Sequence, residues 1–586
     1  MRSLLRLKPY LWRYRRTLFW GLMTVVGSNL FAVVQPLFIG NAIDSLKQAL
    51  QTGHIDSGGL LKYAGLIVGF SLVSGFFTFL TRQTIIVVSR HIEFDLRNDF
   101  LSHIQRLPLS YFQNTPTGDL MAHATNDISA VRNVLGPGIM YPTDTLMTFT
   151  LVLALMLYKD WSLTLMALIP LPLVSLTVYK LSQLVNKKFG ERQEKYSELT
   201  TRAQENLSGI RVVKAYVREK YEIGLFHDLS WDYLKKNLKL AQVQSVMWPL
   251  MFLLVGSSMI ISLYVGGSQV IDGTMTIGTL TAFFAYLTML IWPMIAFGWV
   301  MNLLQQGAAS MGRLCKIWDT VPEIRESEQT DRSVTEIRGD IEFRRLFFTH
   351  KNAGSPALRD INLKIDRGMT VAVVGHVGSG KTTLVNLIPR LYDATAGEVL
   401  IDGVNVKNIP LDVLRSNIGV VPQETFLFSD TISENIGYGA TQTTGKDVEV
   451  AADLSQIGKD VVEFPNRFQT MIGERGITLS GGQKQRTSIA RALIRQPKIL
   501  ILDDALSSVD TYTEEEILKR LRGFMKGRTS IIISHRISTV KDADLIVVLD
   551  NGTIAERGSH EELVAKGGIY ADLYYKQLLE EELEQL

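Results

Sequence analysis

The sequence predicts a protein of two parts: an α-helical membrane domain of six transmembrane helices with long cytoplasmic extensions, fused to an α/β domain of the P-loop class. Three observations predict this fold class. Six apolar runs occur before residue 310. From Ile341 onward, β-rich runs alternate with helical ones, as in an α/β domain. Within that second part, a glycine-rich segment stands between a strand pattern and a helix pattern.

The six apolar runs have the length of membrane spans, because about 20 predominantly apolar residues are needed to cross ~30 Å of hydrocarbon. They lie at Leu18–Ile43, Leu60–Thr81, Ile139–Tyr158, Leu163–Leu184, Val246–Gly266 and Thr279–Leu304. Prolines fall inside several of them, which spanning helices tolerate.

The connections between the runs alternate in length and charge. Those after runs one, three and five are short and carry few Lys or Arg, whereas those after runs two and four are long and basic. Since Lys and Arg near span ends mark the cytoplasmic side, the long connections and both termini are predicted to be cytoplasmic. The long connections are rich in helix formers and predict helices that run on into the cytosol, with turns near Gly118 and Gly209.

The N-terminal segment is basic with interleaved Leu and Trp, and no small-residue cleavage site follows the first run. This pattern predicts an amphipathic segment on the cytoplasmic membrane surface. Basic residues that would meet anionic lipid, and apolar residues that would dip inward, are Arg2, Arg6, Arg13, Arg15 and Arg16, and Leu4, Leu5 and Trp12. A net charge of +3 argues against a general nucleic-acid binder. The single cysteine, Cys315, excludes a disulfide within the chain.

A composition shift marks the boundary between the two parts. Around Val321–Gly339 the chain is rich in Pro, Glu, Ser, Thr and Arg. We therefore predict a membrane domain at residues 1–320, a linker at 321–338, a nucleotide-binding domain at 339–578 and an acidic tail at 579–586.

The run VAVVGHVGSGKTTLVNLI has the pattern of a P-loop: a buried strand, then glycines, then a helix. Glycines let backbone N–H groups approach phosphate oxygens, and the helix N-terminus favours negative charge. Lys381 would reach the β- and γ-phosphates, and Thr382 the Mg²⁺ ion. Downstream, the strand pattern KILILDD places Asp503 after four apolar residues, where its carboxylate can hold Mg²⁺ directly or through water. These two motifs together indicate a P-loop nucleoside triphosphatase.

The segment LSGGQKQR, Leu479–Arg486, is far more specific than the P-loop. On this segment the chain resembles the ABC ATPase family, in which the signature covers the phosphates of ATP held by the opposite subunit. The other family elements appear in order along the chain: a Q-loop at Gln423 and an X-loop at Glu474 before the signature, then a D-loop at Ser507–Asp510 and a switch histidine at His535. With six spans ahead of such a domain, nearly the whole chain resembles one half of a type IV ABC exporter.

This resemblance implies ATP and Mg²⁺ as cofactors and assigns roles to particular positions. The positions implied to contact ATP are His350, Gly375, Gly378, Ser379, Gly380, Lys381, Thr382, Thr383, Ser480, Gly481, Gly482 and Gln483. The implied metal ligands are Thr382, Gln423 and Asp503, and the implied catalytic residues are Asp504, His535 and Gln423. Two segments, Pro116–Asp127 and Ser208–Glu219, are similar to the coupling regions of such exporters.

Two positions depart from the family pattern. The family usually has Glu after the Walker B Asp as the general base on the attacking water, but here the residue is Asp504, one methylene shorter. General-base catalysis is worth about 10²–10⁴ in rate and depends on reach to the water, so slow hydrolysis is expected unless a small backbone adjustment restores that reach. The adenine-stacking aromatic, commonly Tyr, aligns with His350; Phe347 or Phe348 would take its place if the alignment shifts.

An Asp at position 504 beside an intact signature and switch histidine resembles one half of bacterial heterodimeric multidrug-resistance-like exporters. This resemblance implies a second half-transporter chain with Glu after its Walker B Asp, contact with membrane lipid, and export of small amphipathic or hydrophobic compounds (drug-like, peptide or lipid) across a bacterial inner membrane. Two alternatives stay open: a homodimeric lipid flippase, and a membrane ATPase sensor without transport, against which the coupling segments and signature argue.

Spans five and six carry Met and Trp side chains of the kind that form adaptable apolar surfaces. They are Met247, Trp248, Met251, Met259, Met289, Trp292, Met294, Trp299 and Met301. Ordinary helix packing is the simpler interpretation of any single one. The spans hold few ionisable groups, which argues against a dedicated proton or ion relay.

Overall fold

The computed structural model of the chain describes residues 2–52, 57–351, 353–473 and 479–584. The chain divides into two compact units, one formed by Met1–Ile104 with Thr117–Thr320 and the other by Gln105–Pro116 with Val321–Leu586. The first is helical and the second is α/β, which confirms the predicted fold class.

The helices of the first 320 residues are α1 Lys8–Arg13, α2 Arg15–Thr52, α3 Ser57–Thr81, α4 Val87–Ile104, α5 Leu109–Asn114, α6 Thr117–Ala122, α7 Ile128–Leu135, α8 Pro137–Lys159, α9 Trp161–Leu168, α10 Pro170–Ser208, α11 Ile210–Ala215, α12 Glu219–Ile271, α13 Ile277–Met289 and α14 Ile291–Trp318. A 3₁₀ segment, Arg2–Leu7, precedes them, and π-helical turns at Arg82–Ile86 and His123–Asp127 join α3 to α4 and α6 to α7.

Five helical stretches in the described ranges are long and apolar enough to cross a membrane. They are Arg15–Gln51, Gly58–Ile104, Thr117–Lys159, Glu219–Ile271 and Ile277–Trp318. They contain five of the six predicted runs. The remaining run, Leu163–Leu184, is divided between α9 and α10 at Ile169. Pro170 begins α10, and because proline has no N–H it cannot continue the hydrogen-bond ladder of α9.

Two local predictions for the cytoplasmic loops need correction. Gly118 lies inside α6, and the chain instead turns at Thr115, just before Pro116. Proline pushes the preceding residue into extended backbone, and Thr115 has φ −126° and ψ 118°. The segment of the first loop that packs with the α/β unit is Gln105–Pro116, which carries α5, rather than Pro116–Asp127. In the second loop the helix does end at Gly209, as predicted.

The N-terminal segment is amphipathic, although two of its arginines bind the protein. Leu5 and Trp12 are strongly exposed, and the Arg15 guanidinium lies 4.4 Å from the centre of the Trp12 ring. Arg13 pairs with Asp95 at 2.8 Å, and Arg6 pairs with Asp319. Both arginine side chains stay largely exposed in these ion pairs, so the expected contact of this segment with lipid stays a prediction.

The α/β unit contains two sheets. Its strands are β1 Ile341–Phe348, β2 Leu358–Ile365, β3 Thr370–Val374, β4 Ala396–Ile401, β5 Val404–Asn405, β6 Ile418–Val421, β7 Ile499–Asp503, β8 Thr529–Ile533, β9 Leu545–Asp550 and β10 Thr553–Gly558. One sheet is antiparallel with strand order β2-β1-β4-β5, and the other has the order β10-β9-β3-β8-β7-β6. In the second sheet β6, β7, β8, β3 and β9 are parallel. The strands β7 and β8 are buried along their whole length, as expected for parallel strands covered on both faces.

The helices of this unit are α15 Lys381–Asn386, α16 Leu411–Ser416, α17 Ile432–Gly437, α18 Gly445–Leu454, α19 Ile457–Glu463, α20 Gly481–Leu493, α21 Thr511–Met525, α22 Ile537–Val540, α23 His560–Lys566 and α24 Ile569–Glu584. A short 3₁₀ turn lies at Arg467–Gln469.

Candidate nucleotide site

The parallel sheet brings four predicted motifs to one edge. The P-loop follows β3, Asp503 ends β7, His535 follows β8 by two residues, and Gln423 follows β6 by two residues. Because these strands run parallel, their carboxyl ends share one edge of the sheet, where α/β proteins bind ligands. The register supports this, since Asp503 is level with Ile533 of β8 and Val421 of β6 is level with Leu502.

The P-loop has a backbone that its glycines make possible. Gly375 has φ +147°, and a Cβ there would lie 2.1 Å from the Leu549 carbonyl oxygen. Gly380 has φ +99°, and its Cβ would lie 2.8 Å from the Ala357 oxygen. A side chain at either position would therefore clash with the backbone of a neighbouring segment and displace the loop. Ser379 is 3% exposed, and its hydroxyl oxygen has no hydrogen-bond partner among the described residues. An unsatisfied buried hydroxyl in such a cradle fits a bound phosphate.

Lys381 is held across this loop. Its ammonium donates to the carbonyl oxygens of Gly375 at 2.8 Å and His376 at 2.9 Å, and the residue is 7% exposed. Burial lowers the pKa of Lys381, while Asp503 and Asp504 act in the opposite direction. Because carbonyl oxygens hold the ammonium at the P-loop, its positive charge remains available to an anion bound there.

Asp503 lies at the centre of the site and is 4% exposed. Burial raises the pKa of its carboxyl group; a hydrogen bond with Thr382 opposes this shift, and the charge of Asp504 adds to it. Lys381 and His535 also interact electrostatically with Asp503. The structure therefore brings Thr382, Asp503, Asp504, Lys381 and His535 together.

A magnesium ion fits this donor set when phosphate oxygens are added. Mg²⁺ takes oxygen ligands and is usually held by one or two protein groups together with phosphate and water. The hydroxyl of Thr382 and the carboxylate of Asp503 are such groups, and they lie within hydrogen-bond reach of each other. Among the described residues, no group of three or more His, Cys, Asp or Glu side chains is arranged to hold a metal ion.

Asp504 stands where the strand becomes the D-loop. It has φ +49°, a left-handed conformation that Asp tolerates better than most side chains. Its N–H donates to the Ile533 oxygen at 2.9 Å, and its own carbonyl accepts from the Ser507 hydroxyl at 3.1 Å. These two hydrogen bonds restrain the backbone of Asp504. A shift of the main chain is therefore poorly placed to extend the reach of its carboxylate.

His350 lies beside the helix that follows the P-loop. Its Nε2 is 3.4 Å from the Thr383 hydroxyl, and its ring meets those of Phe348 and Tyr392 edge to face, at centroid distances of 4.8 and 5.6 Å. Phe348 is 5% exposed and belongs to the core of the unit, so it could not present a stacking face. The predicted alternative for adenine stacking is thereby reduced to Phe347, which is 38% exposed.

The signature residues begin α20. Ser480 caps the helix: its hydroxyl accepts from the Gln483 N–H at 3.3 Å, and its N–H donates to the Gln483 side chain at 3.0 Å. Cβ atoms on Gly481 and Gly482 would lie 3.4 and 3.0 Å from atoms of Ser508 in the D-loop. Gln485 also donates to Ser507 at 3.0 Å. Signature and D-loop thus form one surface, and the N-terminus of this helix can receive an anion.

Glu474, the expected X-loop residue, lies outside the described residues.

The structure adds a buried network that sequence reasoning missed. Glu514, on α21 and 2% exposed, accepts from Arg536 and from the Thr539 hydroxyl at 2.5 Å. Arg536 directly follows the switch histidine and also donates to the Val509 oxygen at 3.3 Å. On the other side, the Ile537 N–H donates to Gln577 of α24 at 2.7 Å. The one available signal was helical spacing, since Glu514 precedes Ile517, Leu518 and Leu521 by three, four and seven residues and so shares the apolar face of α21.

A second unforeseen contact lies at α5. Gln113 forms a side-chain hydrogen bond with Tyr392, and burial raises the pKa of Tyr392 while this bond opposes the shift. Tyr392 also packs against His350, at a centroid distance of 5.6 Å. The loop helix therefore contacts the aromatic group that lies beside the P-loop helix.

Comparison with known proteins identifies both parts of the chain. Residues 18–294 match the family described as "ABC transporter transmembrane region", and residues 358–507 match the family "ABC transporter". The chain is 38% identical over 560 residues to "Probable multidrug resistance ABC transporter ATP-binding/permease protein YheI" of Bacillus subtilis, with 95% of each chain covered. It is 34% identical over 585 residues to "Multidrug resistance-like ATP-binding protein MdlA" of Escherichia coli, covering 100% of this chain and 98% of that one.

A relative with a different stated role is equally similar. The "ATP-dependent lipid A-core flippase" of Syntrophus aciditrophicus is 38% identical over 558 residues, covering 94% of this chain and 92% of that one. Among solved structures, a bacterial Atm1-family ABC exporter with ATP bound matches with a TM-score of 0.80 and 26% identity, over 96% of this chain and 99% of the other. The chain therefore belongs to the ABC transporter family, as a multi-pass membrane half-transporter of the type IV exporter fold that carries its own ABC-type ATPase domain.

Proposed function

We propose that this chain is one half of a heterodimeric exporter that moves amphipathic or hydrophobic compounds out across a bacterial inner membrane, with its ATPase domain and both termini in the cytoplasm. The inference of a heterodimer rests on Asp504, which places a short carboxylate at the position of the general base. The relatives YheI and MdlA, which are named as a probable multidrug resistance transporter and a multidrug resistance-like protein, support export of varied compounds. The basic long loops support the orientation.

In this proposal the chain's own residues bind and orient ATP and Mg²⁺. Lys381 and the N–H groups of the P-loop bind the phosphates, Thr382, Asp503 and Gln423 hold the metal, and His350 contacts the base. Bound Mg²⁺ supplies a positive charge that neutralises the charge developing on the transferred phosphoryl group. A positioned carboxylate and His535 would orient the attacking water and the γ-phosphate.

Asp504 makes this site slow. Replacing Glu by Asp withdraws the carboxylate by one methylene, and proton transfer requires hydrogen-bond reach of about 2.6–3.2 Å to the water. Because the Asp504 backbone is tied to Ile533 and Ser507, the main chain is poorly placed to restore that reach.

The signature surface would serve the partner's nucleotide. Ser480 and Gly481 are exposed at the N-terminus of α20, where a γ-phosphate from a second chain could bind. A further contact surface for the partner is formed by α11 and the turn after it, where Val212, Tyr216 and Val217 are 61, 75 and 81% exposed. Exposed apolar residues clustered at a loop tip are typical of a binding surface.

The first test concerns the base. The purified chain alone should bind ATP and hydrolyse it slowly, and Asp504→Glu should raise the steady-state rate by at least tenfold, within the range assigned to general-base catalysis. An unchanged rate would mean that the short carboxylate does not limit turnover.

The second test separates the two sites in the complex with a Glu-bearing partner. Ser480→Arg should nearly abolish ATPase activity, because it blocks closure over the partner's nucleotide and removes donors worth about 10²–10³ in rate. Asp504→Asn should lower the activity only modestly, because the base it removes is already poor. Equal collapse of both variants would contradict the assignment of unequal sites, and a loss confined to Asp504→Asn would reverse it.

A homodimeric lipid flippase is the second candidate, favoured by the 38% identity to the lipid A-core flippase. Purification from the native membrane distinguishes the two, because a homodimer contains one half-transporter chain and the proposed heterodimer contains two.

A further inference from the structure

The side chain of Gln483 connects the signature to a neighbouring helix. Its amide oxygen accepts from the Ser480 N–H at 3.0 Å, and its amide nitrogen donates to the Asp460 carboxylate at 3.0 Å. Asp460 lies on α19, outside the LSGGQKQR segment. The signature therefore has a polar contact with a residue that its own sequence pattern does not contain.

Asp460 determines which way the Gln483 amide points. An ionised carboxylate only accepts hydrogen bonds, so the amide turns its NH2 group toward Asp460 and its oxygen toward Ser480. With the amide reversed, its NH2 group would face the Ser480 N–H, and two donors would oppose each other. The observed orientation completes the capping box of α20, in which the Ser480 hydroxyl accepts from the Gln483 main-chain N–H at 3.3 Å.

Arg486 holds the Asp460 carboxylate in place. Its guanidinium donates to the two carboxylate oxygens at 2.8 and 3.0 Å, and to the Gln456 carbonyl oxygen at 3.1 Å. The side chains of Arg486 and Asp460 are 14 and 20% exposed. Bidentate, charge-assisted pairs of this kind fix geometry as well as contributing energy. The carboxylate is therefore presented to Gln483 in a defined orientation.

Apolar packing fixes α19 against the signature helix. Ile457 and Val461, which flank Asp460 on α19, are fully buried in a cluster that also contains Ala490 of α20. A movement of Asp460 away from the signature would open this cluster. The polar contact between the two helices is thus supported by the hydrophobic core on which both of them rest.

The capping box determines what Ser480 can offer to a nucleotide. Since its hydroxyl oxygen accepts from the Gln483 N–H, the hydroxyl hydrogen is directed away from that group and is available to a phosphate oxygen. Ser480 is exposed at the N-terminus of α20, where the proposed function places the γ-phosphate of the partner's ATP. A donor held there acts on the charge that develops in the transition state.

We propose that Asp460 is a positioning residue for ATP hydrolysis: through Gln483 it holds the Ser480 hydroxyl toward the γ-phosphate of the nucleotide that the partner chain binds. This inference rests on the proposed function, which gives the signature that role. Asp460 itself touches no reacting group. Its loss should therefore slow turnover without weakening the binding of ATP, which the partner's P-loop provides.

The first measurement is the steady-state ATPase activity of the full-length transporter, purified with its partner chain in lipid nanodiscs. Asp460→Asn, whose amide can donate as well as accept, should lower kcat by about tenfold, less than the loss of about 10²–10³ assigned to removal of a donor itself. The KM for ATP should stay within about twofold. Asp460→Glu keeps an acceptor-only carboxylate and should recover most of kcat.

A double-mutant cycle then shows whether Asp460 acts through Ser480. The cycle is measured in chains that also carry Asp504→Asn, so that the partner's site supplies the activity. In the Ser480→Ala background, Asp460→Asn should have no further effect on kcat, because both residues act through one hydroxyl group. The matched control is Glu463→Gln, which removes a charge at an exposed position on the same helix and should leave kcat unchanged in both backgrounds.

Additive losses in the cycle would overturn the inference, since Asp460 would then act by a route other than Ser480. An unchanged kcat in Asp460→Asn, or a raised KM at constant kcat, would also overturn it. If the native transporter contains one kind of chain only, the heterodimer fails, and the same cycle with Asp504 intact decides the role of Asp460 in the homodimer. If the coupling is found but ATP drives no export in vesicles, the export function fails and the role of Asp460 stands.

Discussion

Replacing Glu514 by Ala is expected to destabilise the α/β unit and slow ATP hydrolysis. Removing one partner of a fully buried ion pair costs about 3–5 kcal/mol, because the other charge is left unpaired. Here Glu514 is buried, but the Arg536 side chain is 36% exposed and can be hydrated after the change. We therefore expect about 2–3 kcal/mol, part of it from the lost Thr539 hydrogen bond.

The assay is thermal unfolding of the full-length chain, with Glu515→Ala as the matched control, because Glu515 is exposed on the same helix. For a domain of this size a change of 1 kcal/mol shifts Tm by roughly 2–4 °C, so Glu514→Ala should lower Tm by about 5–10 °C. Glu515→Ala should stay within about 1–2 °C of wild type. Equal Tm values for the two variants would refute the reasoning.

The same substitution separates a positioning role from a merely structural one. Arg536, which directly follows His535, pairs with Glu514, so loss of the pair should lower kcat while leaving the KM for ATP nearly unchanged. Glu514→Gln, which keeps an acceptor oxygen, should recover much of the stability and part of kcat. A rise in KM at constant kcat would mean that the network supports nucleotide binding instead.

Two further predictions concern the buried carboxylate and the membrane orientation. Because burial raises the pKa of Asp503, the nucleotide-free protein loses stability as the pH rises through that raised pKa and keeps it below the usual carboxyl pKa. Asp503→Asn should therefore be more stable than wild type at pH 8 in thermal unfolding without nucleotide, and the difference should shrink as the pH is lowered toward the usual carboxyl pKa. In a Cys315→Ser background, Ile271→Cys should react with an impermeant thiol reagent from outside the cell and Val212→Cys should not, both positions being well exposed; the reverse labelling would overturn the topology.

Much of the fold follows from local sequence patterns. Five of the six apolar runs fall in single long helical stretches, because a run of apolar residues fixes both the length and the environment of a span. The fourth run is divided between two helices at Pro170. Although the sequence stays apolar there, proline has no N–H to continue the hydrogen bonding of the first helix. In the first cytoplasmic loop the turn forms before Pro116 and not at Gly118, since glycine permits a turn but proline restricts the backbone directly.

The candidate site was predictable where its residues are adjacent in sequence to strand ends. Lys381, Asp503 and His535 lie close together because each follows or ends a parallel strand at the same edge of the sheet. The sequence motifs identified the strands that precede them. The pairs Glu514–Arg536, Gln113–Tyr392 and Asp460–Arg486 were not predictable, because each joins elements whose relative placement depends on packing. Three of the Met residues in spans five and six, Met247, Met259 and Met289, pack against a buried hydrophobic cluster of the helical unit, in agreement with the simpler interpretation of ordinary helix packing.

The D-loop connects the two roles that we propose for this chain. The Ser507 hydroxyl donates to the Asp504 carbonyl at 3.1 Å and accepts from Gln485 at 3.0 Å, so one side chain joins the position of the weak base to the signature helix. The Ser508 N–H, which donates to Gln485 at 2.9 Å, adds a second bond to the same helix. A shift of the backbone at Asp504 must therefore move the signature helix or break these bonds. In the heterodimer that we propose, this link would couple the carboxylate position of one nucleotide site to the signature that completes the other.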